Sequence, residues 1–476
     1  MCWSASAAAG TYDIHSGDDL YGRLQMLQAG DEVIVHAGTY MTPGFLQVSW
    51  PGTASQPIVI HAAPGDRPIL LGTFAQNTIN ISGSYWTLQG FEITGGSHGL
   101  RLQSVDHATI QDNVIHMTGD VGISCNFEPD NCDAVQIIHN EIYDTGKDGG
   151  TGEGMYLGCN SAACTFTNGL VSDNYVHDTG GSQGDGIEIK EGAHDNVVRD
   201  NVIIRTPYPG ITMYGFGGAG GPNVVERNVI WHTMDNGIQT VGQIVVRNNI
   251  VLDATASGIA SKPSQTYTPH DITIQNNTVF GTATCFKANN WVTEHTQIVA
   301  NNAFYCDGGT AVDITGGAGA DLIMVGNVGL GTSNATAGFM MGTTTANDID
   351  DPATGNVYPP PGSPLFGAAD ATELAADDFN GLPRTLHTSG AYDGATTANP
   401  GWTVMEGFKT PPPVSVDEGS PPGDDPAGGG THPKSGCGCE GSGDPSALLF
   451  LASWLTWSSG RWTRRFRRRR PSRPNQ

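Results

Sequence analysis

The residues best able to do chemistry fall between Asp144 and Lys190. Lys190 closes the phrase Asp185-Gly-Ile-Glu-Ile-Lys190, and four acids, Asp144, Glu153, Asp178 and Asp185, stand in short turn-like phrases around it. A lysine that has lost its proton can act as a Brønsted base, and grouped carboxylates can hold a hard cation through oxygen. Those are the two parts that β-elimination beside a sugar carboxylate requires. The base takes the C5 proton, and the cation neutralises the neighbouring carboxylate so that the carbanion-like state is stabilised. Glu188 stands against this reading. An acid beside Lys190 holds the lysine's proton and raises its pKa, unless that acid is itself committed to a metal.

Such residues need a frame, and the frame is a repeat. The phrase N-x-[VI] after β-branched residues returns at Asn113, Asn140, Asn174, Asn201, Asn228, Asn249 and Asn277, with weaker copies at Asn302 and Asn327, at spacings of 21 to 34 residues. One coil of a solenoid per copy fits these spacings, with the variation carried by loops. A second phrase, glycine before an aliphatic residue, keeps step at Gly99, Gly122, Gly154, Gly186, Gly210, Gly237 and Gly258. The expected fold is all-β: a single-stranded right-handed parallel β-helix of roughly a dozen coils from about Asp31 to Tyr392, a rod about 55 to 60 Å long. The asparagine column is expected to form an internal amide ladder.

Alternation along the glycine-marked strand turns Ile123, Met155, Ile187, Ile211, Ile238 and Ile259 inward. Glu188 and Lys190 then point outward, on a stripe with Arg101, Gln103, Asn126, Tyr156, Tyr214, Gln239 and Lys262. Rings and amides in such a row suit a sugar chain. The acids pair across coils, Asp144 with Asp178 and Glu153 with Asp185. At a coil spacing of about 4.8 Å each pair repels itself unless a cation bridges it, and Ca²⁺ is the natural choice for oxygen ligands outside the cell.

Charge sets a condition on this reading. The formal net charge is −25, and eight arginines after Gly460 lift it to that value from −33 over residues 1–460. A body this acidic disfavours nucleic acid, whose binding needs clustered Lys and Arg. It also repels an acidic polysaccharide unless a bound cation intervenes. Six of the nine cysteines fall in close pairs, Cys125 with Cys132, Cys159 with Cys164 and Cys285 with Cys306, which read as loop-stapling disulfides of an extracytoplasmic protein. Their spacing lacks the C-x-x-C ligand sets of a zinc site. No basic and apolar leader is visible at Met1-Cys2-Trp3-Ser4, which a misplaced start codon would explain.

The domain plan is a β-helix over 1–396, a Pro/Gly/Asp-rich disordered spacer over 397–436 and a tail over 437–476. A short helix from about Asp18 to Gln28 is expected to cap the first coil, and the segment around residues 363–393 to close the other end. In the tail, Cys437 and Cys439 precede a short apolar run from Ala447 to Trp457 and an arginine cluster. That order resembles the MYXO-CTERM sorting tail, which implies surface display, contact with the membrane through the tail alone, and no role for the tail in the fold. The body reads as a monomer.

The opening, AGDEVIVHAGTY, GTASQPIVIHAAPG and GSYWTLQGFEITG, resembles the N-terminal region of polysaccharide lyase families 6 and 9 in the pectate-lyase-like superfamily. Asp185-Gly-Ile-Glu-Ile-Lys190 resembles the D-G-x-x-x-K of family 9, where the lysine is the base. The resemblance implies a calcium-dependent lyase acting on an acidic polysaccharide, with Lys190 catalytic, Glu153, Asp178, Asp185 and Asp144 near the metal, and Arg101, Asn126, Tyr156, Glu188, Tyr214, Gln239 and Lys262 lining the substrate. The chain lacks that family's full set of aspartates in matching order. A glycoside hydrolase of the polygalacturonase type would need more than Ser97-His98-Gly99 and Glu188-Ile189-Lys190. Tyr267-Thr-Pro-His270-Asp271 is similar to the D-P-H phrase of alginate epimerases without its first acid. A non-catalytic surface glycan binder or adhesive spike is the rival from another class.

Overall fold

A computed structural model describes residues 9–215, 220–264, 267–292, 295–316 and 321–409. The strands form one continuous 36-stranded assembly in which every ladder between named strands is parallel. Each coil contributes to three sheets. The first contains Val114–His116, Glu141–Tyr143, Tyr175–His177 and Val202–Ile204. The second contains Ile123–Cys125, Met155–Leu157, Ile187–Ile189 and Ile211–Met213, and the third Gln136–Ile138, Leu170–Ser172 and Val197–Arg199. Pairing starts at Thr11–Ile14, earlier than expected, and ends at Phe339–Met341 rather than near Tyr392.

The stack is held in register by the asparagines. From Asn113 to Asn327 each Nδ2 donates to the Oδ1 of the next ladder asparagine at 2.9 to 3.1 Å. The same Oδ1 accepts the backbone N–H of the asparagine before it. Each Nδ2 also reaches a carbonyl of the coil beneath, as Asn201 does to Val171 at 2.9 Å. Every amide is thus satisfied in a buried site where an unmade bond would cost about 1–3 kcal/mol. The residue before each asparagine turns the chain through the left-handed region, even where it is His139 or Arg227 (φ 55°). The ladder offsets that local strain.

The inward row Ile123, Met155, Ile187, Ile211, Ile238 and Ile259 is fully buried, as alternation predicts. Its preceding glycines are required by close approach. A Cβ on Gly186 would lie 2.5 Å from the Gly210 carbonyl oxygen and 2.5 Å from Ile203 Cγ2. The three expected disulfides, Cys125–Cys132, Cys159–Cys164 and Cys285–Cys306, are formed. The helix is shorter than expected, Leu20–Leu24, capped by Asp19 and packed on the core through Leu20, Tyr21 and Leu24.

The C-terminal part departs from the sequence reading. Residues 349–409 do not close the end of the stack by Asp393; they run back along its flank, over the turns that carry the ladder. Asp370 and Ala375 bond Asn301 and Asn276, Asp377 meets Asn248 and Arg227, Lys409 meets Asp200, and Phe408 stacks on His139 at 4.1 Å. Val357, Tyr358, Phe379, Tyr392 and Val404 cover Val202, Ile204, Val229, Ile250 and Leu252. The packed body therefore reaches at least Lys409, past the expected boundary at 396, because an apolar outer face of the first sheet has to be covered. The rest of the spacer and the tail, with Cys437 and Cys439, lie outside the described residues.

Two outcomes follow. Asn201→Ala strands donors and acceptors on both neighbouring coils and should cost at least about 3 kcal/mol by denaturant titration. Truncation after Thr396 should lower the melting temperature by about 3 °C or more, since it removes Val404, Phe408 and Lys409, whereas truncation at Pro421 should leave it unchanged.

Candidate functional site

The second sheet positions the site. Its register sets Arg101 beside Ser124, then Tyr156, Glu188, Thr212 and Gln239 in successive coils. The row two residues on holds Asn126, Lys190, Tyr214 and Lys262, fixed by Lys190 N–H to Leu157 O, Tyr214 N–H to Ile189 O and Lys262 N–H to Thr240 O. The structure thus brings the expected lining residues onto one face. It differs on exposure: Glu188 and Lys190 are 3% and 4% exposed, so neither is the open side chain that outward parity suggests.

Lys190 Nζ donates to Glu188 Oε1 at 2.5 Å and lies 4.6 Å and 5.0 Å from the centroids of the Tyr156 and Tyr214 rings. Burial alone would lower its pKa, but the charge of Glu188, the hydrogen bond to it and the charge of Glu191 outweigh burial and hold the lysine above its ordinary value. This is the hold of Glu188 on the lysine proton expected from the sequence.

Glu188 also belongs to a second group. Ligand oxygens of Glu153, Asp185 and Glu188 lie within 4.8 Å of one another, and all three residues are buried. Burial raises Glu153 to about 7, Asp185 well above the carboxylate range, and Glu188 as well. Thr151 donates to Glu153 Oε2 at 2.6 Å and Thr212 to Asp185 Oδ1 at 2.5 Å. Glu153 Oε1 and Glu188 Oε2 are buried and accept no hydrogen bond. Three converging carboxylates with two unspent acceptors are the donor set of a hard divalent cation, so these residues fit Ca²⁺.

Two of the expected metal residues are not in this group. Asp144 is tied to Lys147 at 2.6 Å. Asp178 takes Arg205 with both oxygens at 2.8 and 2.9 Å, and that bond holds its carboxyl at about 2. They do stack one coil apart, as expected, and Lys147 and Arg205 set cationic side chains against them. Glu188, expected to touch substrate, stands instead with the Glu153 and Asp185 carboxylates.

The sequence reading missed His98, Ser124 and Asp120. His98 Nδ1 shares a 2.8 Å hydrogen bond with Ser124 Oγ, while its Nε2 lies 3.7 Å from Asp120 Oδ2. Burial and the Arg101 charge lower the imidazole to about 4 and keep it neutral. Ser97-His98-Gly99 was the available signal, read only against a hydrolase pattern. Arg101 Nε and Asn126 Oδ1 are buried and unpartnered at the same end of the stripe.

A model described as "Pel9A-like, right handed beta helix region" matches residues 4–202, and a right handed beta helix region model matches residues 154–304. Among solved structures, XylC in complex with xylose is similar with a TM-score of 0.56 at 10% identity, over 82% of this chain and 99% of that one. Pectate lyase Pel9A gives 0.49 at 13% identity, over 81% and 96% of the two chains. An alginate lyase from Paenibacillus sp. str. FPU-7 gives 0.47 at 21% identity, over 58% and 95%. At 10% identity the likeness to XylC is one of fold. No curated protein matches the chain.

The carboxylate group has a pH signature. Glu153 ordinarily titrates at 4.5 and here at about 7, so the metal-free folded state holds its proton more tightly than the unfolded chain. The stability this contributes is complete below pH 4.5 and lost as pH rises through 7. Chelator-treated protein should lose stability across that window, Glu153→Gln should reduce the loss, and added Ca²⁺ should restore the melting temperature at pH 8.

Proposed function

We propose that this right-handed parallel β-helix protein, Pel9A-like over residues 4–202, cleaves an acidic polysaccharide by calcium-dependent β-elimination. The observation that carries the reading is the shared face of Lys190 and the Glu153, Asp185 and Glu188 carboxylates, two of which keep unspent buried oxygens. The D-G-x-x-x-K phrase ending at Lys190 supports it independently.

Glu153, Asp185 and Glu188 are the residues that would hold Ca²⁺, which when bound supplies positive charge to neutralise a uronate carboxylate. Were Glu188 drawn to the cation, the largest charge that raises Lys190 would be withdrawn, leaving burial, which lowers it, against Glu191. Lys190 Nζ would accept the C5 proton; the C5–H pair forms the C4–C5 double bond, the C4–O4 pair leaves on O4, and the departing sugar takes a proton from solvent. Tyr156 and Tyr214 flank Nζ. Burial pushes Tyr214 up to about 12, so its hydroxyl stays a donor to sugar oxygens while its ring offers a stacking face. Arg101, Asn126, Gln239 and Lys262 extend the face along neighbouring coils. The tail over 437–476 supports a place at the cell surface.

Incubation with polygalacturonate, alginate and chondroitin, following absorbance of unsaturated products, tests the reading. Activity is expected on one of them with Ca²⁺ and none after chelation. Lys190→Ala should lower turnover by at least about 10², the usual contribution of a general base. Lys190 is buried against Glu188, so the variant's melting temperature must be measured and assays run well below it. The Lys190–Glu188 ion pair favours the second reading, a glycan binder without catalysis. Full activity in Lys190→Ala, or no cleavage of any uronate polymer with Ca²⁺ present, leaves that reading in place.

A further inference from the structure

We propose that His270, Asp271 and His295 form a transition-metal site of the zinc class, sharing no residue with the Glu153, Asp185 and Glu188 group. His270 and Asp271 open the third-sheet strand His270–Gln275, and His295 lies two residues before the next, Gln297–Ala300. The pairing of Ile272 with Gln297, followed back two positions, sets His295 one coil beyond His270. The two rings stand 4.7 Å apart, tilted by 40°. Asp271 adopts a left-handed φ of 50°, which swings its carboxylate between them.

The donor spacing suits an ion. His270 Nδ1 and His295 Nδ1 each lie 3.0 Å from the same oxygen, Asp271 Oδ2, and one ligand atom from each residue falls within 4.8 Å of the others. In a tetrahedral site with bonds of 2.0–2.1 Å, neighbouring donors are about 3.3 Å apart. The two His–Asp spacings therefore need to open by a few tenths of an ångström, within the freedom of partly exposed side chains. Two imidazoles and one carboxylate select zinc, copper or nickel over calcium or magnesium, which prefer oxygen alone.

A second observation lies beside the first. Asp271 also lines a cavity of about 270 Å³ with Gln243, Thr273 and Thr296. Gln243, another residue of that lining, has an Oε1 that is buried without a hydrogen-bond partner. A three-ligand ion beside such a cavity keeps a fourth position for water. Without a metal, the same geometry is a carboxylate oxygen accepting two N–H groups.

The test uses the full chain with Cys2, Cys437 and Cys439 changed to serine, so that no thiol outside the disulfides competes. After chelation and dialysis, Zn²⁺ is titrated by calorimetry and Co²⁺ by its visible spectrum. One equivalent that is lost in the double variant His270→Gln, His295→Gln should bind, with a nitrogen- and oxygen-ligated cobalt spectrum. His270→Gln and His295→Gln should each weaken binding at least about tenfold, since even losing a partner of a metal ligand costs that much. Both variants should keep the parent's circular dichroism. The absence of stoichiometric binding, or binding unchanged in the double variant, overturns the site and leaves a hydrogen-bonded triad; either result leaves the lyase reading untouched, because Lys190 and its neighbours are unaltered.

Discussion

Axial register is the constraint on which the rest of this molecule depends. A parallel β-helix has no hairpins to fix how one coil lies on the next, and a slip by one residue would turn each inward isoleucine to solvent. The amide ladder from Asn113 to Asn327 removes that freedom. Each asparagine bonds three successive coils, so a shifted coil would strand buried amides on both sides. Columns of side chains then exist as columns. Without them Lys190 would not stand between Tyr156 and Tyr214, nor Glu153 one coil from Asp185.

The site spends stability that the ladder supplies. Three carboxylates and a lysine lie buried on a face that could have been solvated, and burial pushes each acid toward its neutral form. Groups so placed rarely serve folding, since desolvation outweighs the attraction of all but the best-made pairs. Lys190 and Glu188 satisfy one another only in part, because Glu188 keeps an unspent oxygen. The arrangement is internally unfinished in the way a binding site is, whereas Lys409, equally buried, spends its three protons on Asp200, Arg227 and Phe379.

Much of this was legible in the chain. The Asn and Gly phrases fix the coil, the ladder, the inward rows and the paired cysteines, since each follows from a local period. Glu153 and Asp185 were found as a stacked pair for the same reason. Asp144 and Asp178 stand outside that group because other side chains hold them: Lys147 lies in the loop after Asp144, and Arg205 occupies the position of Asp178 in the next coil. The burial of Glu188 and Lys190 depends on neighbouring loops and could not be read from strand parity. The flank segment had a signal that alternation obscured: where NVIH and NEIY alternate, NVII, NVIW and NIVL carry three apolar residues in a row, which marks a strand covered on both faces.

The returning segment also decides where the chain leaves the body. Phe408 and Lys409 sit against His139 and Asp200, coils away from the last strand at Phe339–Met341. Anything joined after Lys409 is therefore attached at the flank of the rod. A pull through that point would act first on the Lys409 and Glu406 contacts and peel residues 409 back toward 349 like a strip, one contact after another. The coils themselves, loaded sideways across many parallel ladders at once, would yield only after the strip is gone. The flank segment is in this sense a mechanical fuse, set between the coils and whatever draws on the chain's end.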